Sequence, residues 1–200
     1  MPVDLGPTMA QSAIMARMSP IPLPDLWRRA VFAACLFLGL PGLAATASAA
    51  CDKSATTILV VRHADRAGEA DSLSAAGVAR AKTLVNVASR ANVKAIYHSD
   101  TNRTRLTAEP LAAALGIKPE EYPAKEVDAL IARIFAAHEG ETVLVVGHSN
   151  TVPLIIAAAG GPTMADLAED EFDRLFIVIV PPCRNGSVKL VELEYGEKSP

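Results

Sequence analysis

Thr56-Thr57-Ile58-Leu59-Val60-Val61, running into Arg62-His63-Ala64-Asp65-Arg66, is the stretch on which the fold turns. Six mostly β-branched or aliphatic residues without alternation predict a short strand buried on both faces. The polar residues behind it predict a loop that continues to Asp71. The same pattern recurs twice downstream. Residues 94–98 predict a second strand, followed by Ser99-Asp100-Thr101-Asn102-Arg103, and residues 142–146 predict a third, followed by Gly147-His148-Ser149-Asn150-Thr151.

Helical patterns fill the gaps. Residues 74–91 place Val78, Ala81, Leu84, Val85 and Ala88 at helical spacing behind Ser74, a side chain suited to an N-cap. A second helix is expected over 104–115, ending at Gly116. Pro119 and Pro123 mark a loop, and residues 127–137 and 152–159 predict two more helices. Residues 175–180 and 188–194 predict two late strands across Asn185-Gly186, a turn-forming pair. Strands alternating with helices predict a single α/β domain: a mostly parallel central sheet, helices on both faces, and an antiparallel edge strand.

In such a sheet the ligand site lies beyond the carboxyl ends of the strands. The three strands above would deliver Arg62, His63, Arg66, Arg103 and His148 there. Arginine stays charged and presents a planar fork that matches phosphate oxygens, so a cluster of them implies a tetrahedral anion. A neutral imidazole beside it can attack phosphorus, and neighbouring cations disfavour its protonated form. The sequence has no closely spaced carboxylate group of the kind that holds a hard metal ion, so neither metal nor cofactor is expected. The 19 Lys and Arg against 22 Asp and Glu give a net charge of −3, and the basic residues are dispersed. That balance carries no footprint of nucleic-acid binding.

These residues resemble the histidine phosphatase superfamily. Val60 to Arg66 is similar to its Arg-His-Gly signature after the first strand, with Ala64 in the glycine's place. Residues 99–109 resemble its second block, in which Ser99 precedes Arg103 by four and Thr107-Ala108 follows it. Residues 145–150 resemble the third, which holds the second histidine. The resemblance spans roughly residues 56–180. It implies a metal-independent phosphatase in which His63 takes the phosphoryl group of a small phosphorylated substrate, while Arg62, Arg103 and His148 bind it. It further implies a phosphate contact from Arg66. Ser149 and Asn150 are candidates by proximity. A leaving alkoxide needs a proton. Asp128, at about the offset from Arg103 where mutase-like relatives carry a Glu, and Glu126 close by are candidate acids, as is Asp65. Acids in a first helical turn also serve the helix dipole, so the choice stays open. A phosphohistidine-protein phosphatase and a non-catalytic phosphate-binding envelope protein are the alternative functions. Specificity is expected from loops 67–73, 116–125 and 162–173. The last is acidic and is expected to disfavour highly anionic substrates.

The first 49 residues read as an export signal. Arg28 and Arg29 precede an apolar run over 30–40, and Ala47-Ser48-Ala49 fits a small-residue cleavage site. The run falls short of the ~20 residues a spanning helix needs, and Pro41 and Gly42 interrupt it. Met9, Met15 and Met18 are alternative starts, and the paired arginines also suit a twin-arginine signal. The expectation is a catalytic domain over 50–200 in the periplasm or outside the cell, with no stable membrane span. Cys51 and Cys183 would remain after cleavage, able to form a disulfide in an oxidising compartment if the first and a late strand are antiparallel neighbours. A lipid anchor on Cys51 is the alternative.

Overall fold

The computed structural model describes residues 53–199. The predicted signal segment and Cys51 lie outside them. The elements in chain order are β1 (Thr56–Arg62), α1 (Ala75–Ala88), β2 (Val93–Ser99), α2 (Asn102–Leu115), β3 (Glu120–Tyr122), α3 (Val127–Ala137), β4 (Thr142–Gly147), α4 (Thr151–Ala158), β5 (Arg174–Val180) and β6 (Lys189–Glu194). They form one α/β domain around a six-stranded sheet of order β3-β2-β4-β1-β5-β6. The first four strands in that order are parallel, and β5 and β6 are antiparallel to their neighbours.

The run that predicted β1 divides its side chains by the period-two rule of a strand. Ile58 and Val60 face a core shared with Leu130, Ile131 and Ile134 of α3 and Ile155 and Ile156 of α4. Leu59 and Val61 face a second core with Leu84 and Ala88 of α1 and Ala108 and Leu111 of α2. Both faces are covered, so the strand is apolar throughout.

The local signals placed the helix ends well. Ser74 caps α1, its Oγ accepting from the Gly77 amide at 3.1 Å. Gly116, at φ 67°, closes α2 in the left-handed region that glycine enters without penalty. Two features differ from expectation. β3 forms inside the stretch expected to be loop, because pairing with β2 (Tyr97 to Glu120, Ser99 to Tyr122) supplies what three residues between prolines cannot. β5 is antiparallel as well as the edge strand β6.

Thr56 stands opposite Val180 across β1 and β5, so the chain before β1 and the chain after β5 meet at one end of the sheet. Cys183, just beyond β5, is disulfide-bonded. Among the described residues no helix is long and apolar enough to cross a membrane.

Candidate active site

The carboxyl ends of β1, β2 and β4 lie level. Arg62 is in register with Gly147, and the amide of His63 donates to the Gly147 carbonyl at 2.9 Å. Beyond these ends opens a crevice of about 720 Å³. Arg62, His63, Arg66, Arg103, His148, Ser149 and Asn150 all line it, so every substrate-contacting residue expected from the sequence converges on one place. Helices α2 and α4 both start there, at Asn102 and Thr151, adding positive helix ends suited to an anion.

His63 is almost wholly buried. Its Nδ1 lies 2.9 Å from its neighbour's carbonyl, Ala64 O. A carbonyl can only accept, so Nδ1 carries the proton and Nε2 keeps the lone pair. Burial holds the imidazole pKa down at about 3, with Arg62 and Arg103 reinforcing the shift and the Ala64 hydrogen bond opposing it. The ring is neutral at physiological pH. A second bond fixes its loop: the Ala64 amide donates to Thr107 Oγ1 at 2.9 Å, and that hydroxyl donates to Arg103 O at 2.8 Å. Thr107 therefore ties the His63 loop to the helix that bears Arg103.

The His148 ring stands edge-on to that of His63, with centroids 5.5 Å apart. Arg103 Nη2 lies 3.2 Å from His148 Nδ1, and arginine can only donate, so Nδ1 accepts. The proton is then on Nε2, which donates to Ser99 Oγ at 2.6 Å. Burial, helped by Arg103, lowers this pKa to about 4. Asp71 organises Arg103. Its carboxylate accepts from the Asn102 and Arg103 amides at 2.8 and 3.1 Å and from Arg103 Nη1 at 3.0 Å. These contacts hold the Asp71 carboxyl below its ordinary pKa.

Arg62 is buried too, and it braces loop 162–173. Nη1 donates to Ala168 O at 2.6 Å and Glu171 O at 3.1 Å, Nη2 reaches Glu169 Oε2 at 3.4 Å, and the guanidinium lies 4.1 Å from the centre of the Phe172 ring. The Nε atoms of Arg62 and Arg103 are buried donors without a partner among the described residues. Buried donors are rarely left so.

The three candidate acids are placed elsewhere. Asp65 pairs with the buried Arg80 (Oδ2 to Nε, 2.7 Å), which also binds the carbonyls of Tyr195 and Glu197. Its carboxylate fastens α1 and the C-terminal segment to the β1 loop. Glu126 and Asp128 are exposed at the start of α3, as the helix-dipole role would have them, and neither lines the crevice. The carboxylates that do line it are Asp166 and Glu169. Both belong to the acidic loop 162–173 from which specificity was expected; which of its carboxylates reach the crevice was set by folding. Lys125 is a further lining residue not singled out beforehand. Among the described residues no group of three or more metal-ligating side chains is gathered.

The sequence pattern of the histidine phosphatase superfamily (branch 1) matches residues 58–125, about a third of the chain. No curated protein sequence matches. Solved structures share the fold at low identity. The protein histidine phosphatase SixA complexed with tungstate is 16% identical, with a TM-score of 0.53, over 69% of this chain and 96% of its own. Bacillus stearothermophilus YhfR is 17% identical, with a TM-score of 0.52, over 68% and 95%. A mycobacterial glucosyl-3-phosphoglycerate phosphatase is 14% identical, with a TM-score of 0.51, over 72% and 99%.

Proposed function

We propose that the chain is a phosphatase of the histidine phosphatase superfamily that passes the phosphoryl group of a monoester through a phosphohistidine on His63. The observation that carries this is the state of His63: a buried, neutral imidazole whose Nδ1 proton is fixed, so that Nε2 is the free nucleophile, set among arginines with unsatisfied donors. The superfamily match over residues 58–125 supports it.

In the first step Nε2 forms a bond to phosphorus as the ester P–O bond breaks, and the leaving oxygen takes up a proton from solvent. Arg62, Arg103 and the amino ends of α2 and α4 stabilise the charge on the equatorial oxygens. In the second step water attacks phosphorus, the P–N bond breaks back to Nε2, inorganic phosphate leaves, and the water proton passes to solvent. Ser99 and Arg103 clamp the His148 ring beside the transferring group. The absence of Asp65, Glu126 and Asp128 from the crevice favours a second reading, a phosphoramidate such as phosphohistidine, whose leaving nitrogen demands less of an acid. Export to the periplasm or beyond, with a Cys51–Cys183 disulfide, completes the proposal. It rests on the leader-like sequence, on the antiparallel β1–β5 pairing and on the bonded state of Cys183.

The test is a rapid quench with radiolabelled p-nitrophenyl phosphate and phosphohistidine in excess chelator. Protein-bound label that is acid-labile and alkali-stable is expected in the wild type and not in His63→Asn. Label of equal yield in both proteins overturns the assignment.

A further inference from the structure

The crevice is bipolar. Arg62, Arg66, Arg103 and Lys125 supply its positive charge, and Asp166 and Glu169 are its carboxylates. Three of the cations already face an anion: Arg66 pairs with Glu69 at 3.3 Å, Arg103 with Asp71 at 3.0 Å and Arg62 with Glu169 at 3.4 Å. Asp166 has no ion pair among the described residues.

The backbone that carries the two carboxylates is tied to the residues around the nucleophile, while their side chains are exposed. The Leu167 amide, between them, donates to Ser149 O at 3.1 Å, and the Leu167 side chain is buried. Ala168 O and Glu171 O accept from Arg62, the residue next to His63. Arg62 and Arg103, on the other side, line the same crevice beside His63.

The leaving group of a phosphoryl dianion bound at the arginines would share this crevice with Asp166 and Glu169. A carboxylate on the leaving group would meet Asp166 and Glu169 as like charges, and a neutral chain would leave Asp166 without a counter-charge. An ammonium would pair with them. A cation a few bonds from the ester oxygen also stabilises the developing alkoxide. That help matters here, because neither neutral imidazole holds a spare proton for the leaving group.

We infer that the substrates are phosphomonoesters whose leaving group carries an ammonium close to the ester oxygen, aminoalkyl phosphates, with Asp166 and Glu169 receiving the ammonium. This rests on the phosphatase reading above. In the reaction the ester P–O bond breaks, phosphorus passes to His63 Nε2 and then to water, the amino alcohol departs with its oxygen protonated from solvent, and the attacking water returns its proton there.

The experiment measures kcat/KM of the full chain on 2-aminoethyl phosphate, on propyl phosphate as the neutral isostere and on phosphoglycolate, with p-nitrophenyl phosphate alongside. The aminoethyl-to-propyl ratio is expected at about 5 to 10, the scale of one or two partly exposed ion pairs, with phosphoglycolate below propyl phosphate. In the double variant Asp166→Asn/Glu169→Gln the ratio is expected to fall to about 1. Each ratio is read within one protein, so a reduced folded fraction cancels. A wild-type ratio of 1 or less, with p-nitrophenyl phosphate still hydrolysed through His63, overturns the inference and leaves the phosphatase reading standing. A high ratio that survives the double variant also overturns it, since the cation is then read elsewhere. Failure to turn over any ester removes the inference together with the monoester reading, and leaves the phosphoramidate one.

Discussion

The floor of the crevice and the loop that walls it are built on different principles. The floor is made of strand ends. His63 and the Arg62 backbone stand on a β1 buried on both sides, and their positions follow from the sheet register and from bonds such as Ala64 to Thr107 and His63 to Gly147. Loop 162–173 has no regular structure over most of its length and is held by a few long-range contacts, chiefly the Arg62 guanidinium and the Phe172 ring. A site of this kind keeps its reacting atoms on rigid elements and leaves selectivity to a segment free to vary in sequence.

The comparison breaks first at the nucleophile. His63→Ala is expected to lower kcat on p-nitrophenyl phosphate by 10³-fold or more, with the thermal midpoint little changed. A loss under tenfold would mean that the floor is not where the chemistry happens. Thr107→Val tests the rigidity of the floor. It leaves the buried Ala64 amide without an acceptor, at a cost of about 1–3 kcal/mol in denaturant unfolding, and kcat should fall with it. Unchanged stability would show that the tie is dispensable. On the loop side, Phe172→Leu removes the ring beneath Arg62. About 0.5–1 kcal/mol should be lost, the value of a partly exposed cation–π contact, with KM rising more than kcat falls. A larger fall in kcat would show that the loop belongs to the floor after all.

The smallest effect is a null one. With pKa values of about 3 and about 4, His63 and His148 stay almost wholly neutral between pH 7 and 5, so their ring resonances should show no titration midpoint there in NMR. The unfolded chain does bind protons at these histidines below about pH 6.5. The two groups therefore lower folding stability progressively as pH falls from about 6.5 toward 4 and 3. A ring titrating near 6.5 would mean that water and counter-charge reach the floor as freely as they reach the loop.

The sequence carried the central strands, four helices and the residues Arg62, His63, Arg103 and His148 because their signals are local. β-branched runs, helical spacing, an N-cap at Ser74 and a stop at Gly116 are all read within a few residues. The sheet rule then sends whatever follows each strand to one crevice. What lay beyond local signals was decided by folding. β3 exists because β2 offers an edge, not because Glu120-Glu121-Tyr122 favours a strand. Asp65 looked like a neighbour of the nucleophile in sequence, yet Arg80, 15 residues on, claims its carboxylate. Loop 162–173 was expected at the pocket, but that Asp166 and Glu169, rather than Asp170 or Glu171, line the crevice follows from how the Arg62 guanidinium holds the loop. Chain order fixes which groups end a strand, but the pairing of charges across the fold depends on distances that only the packed molecule sets.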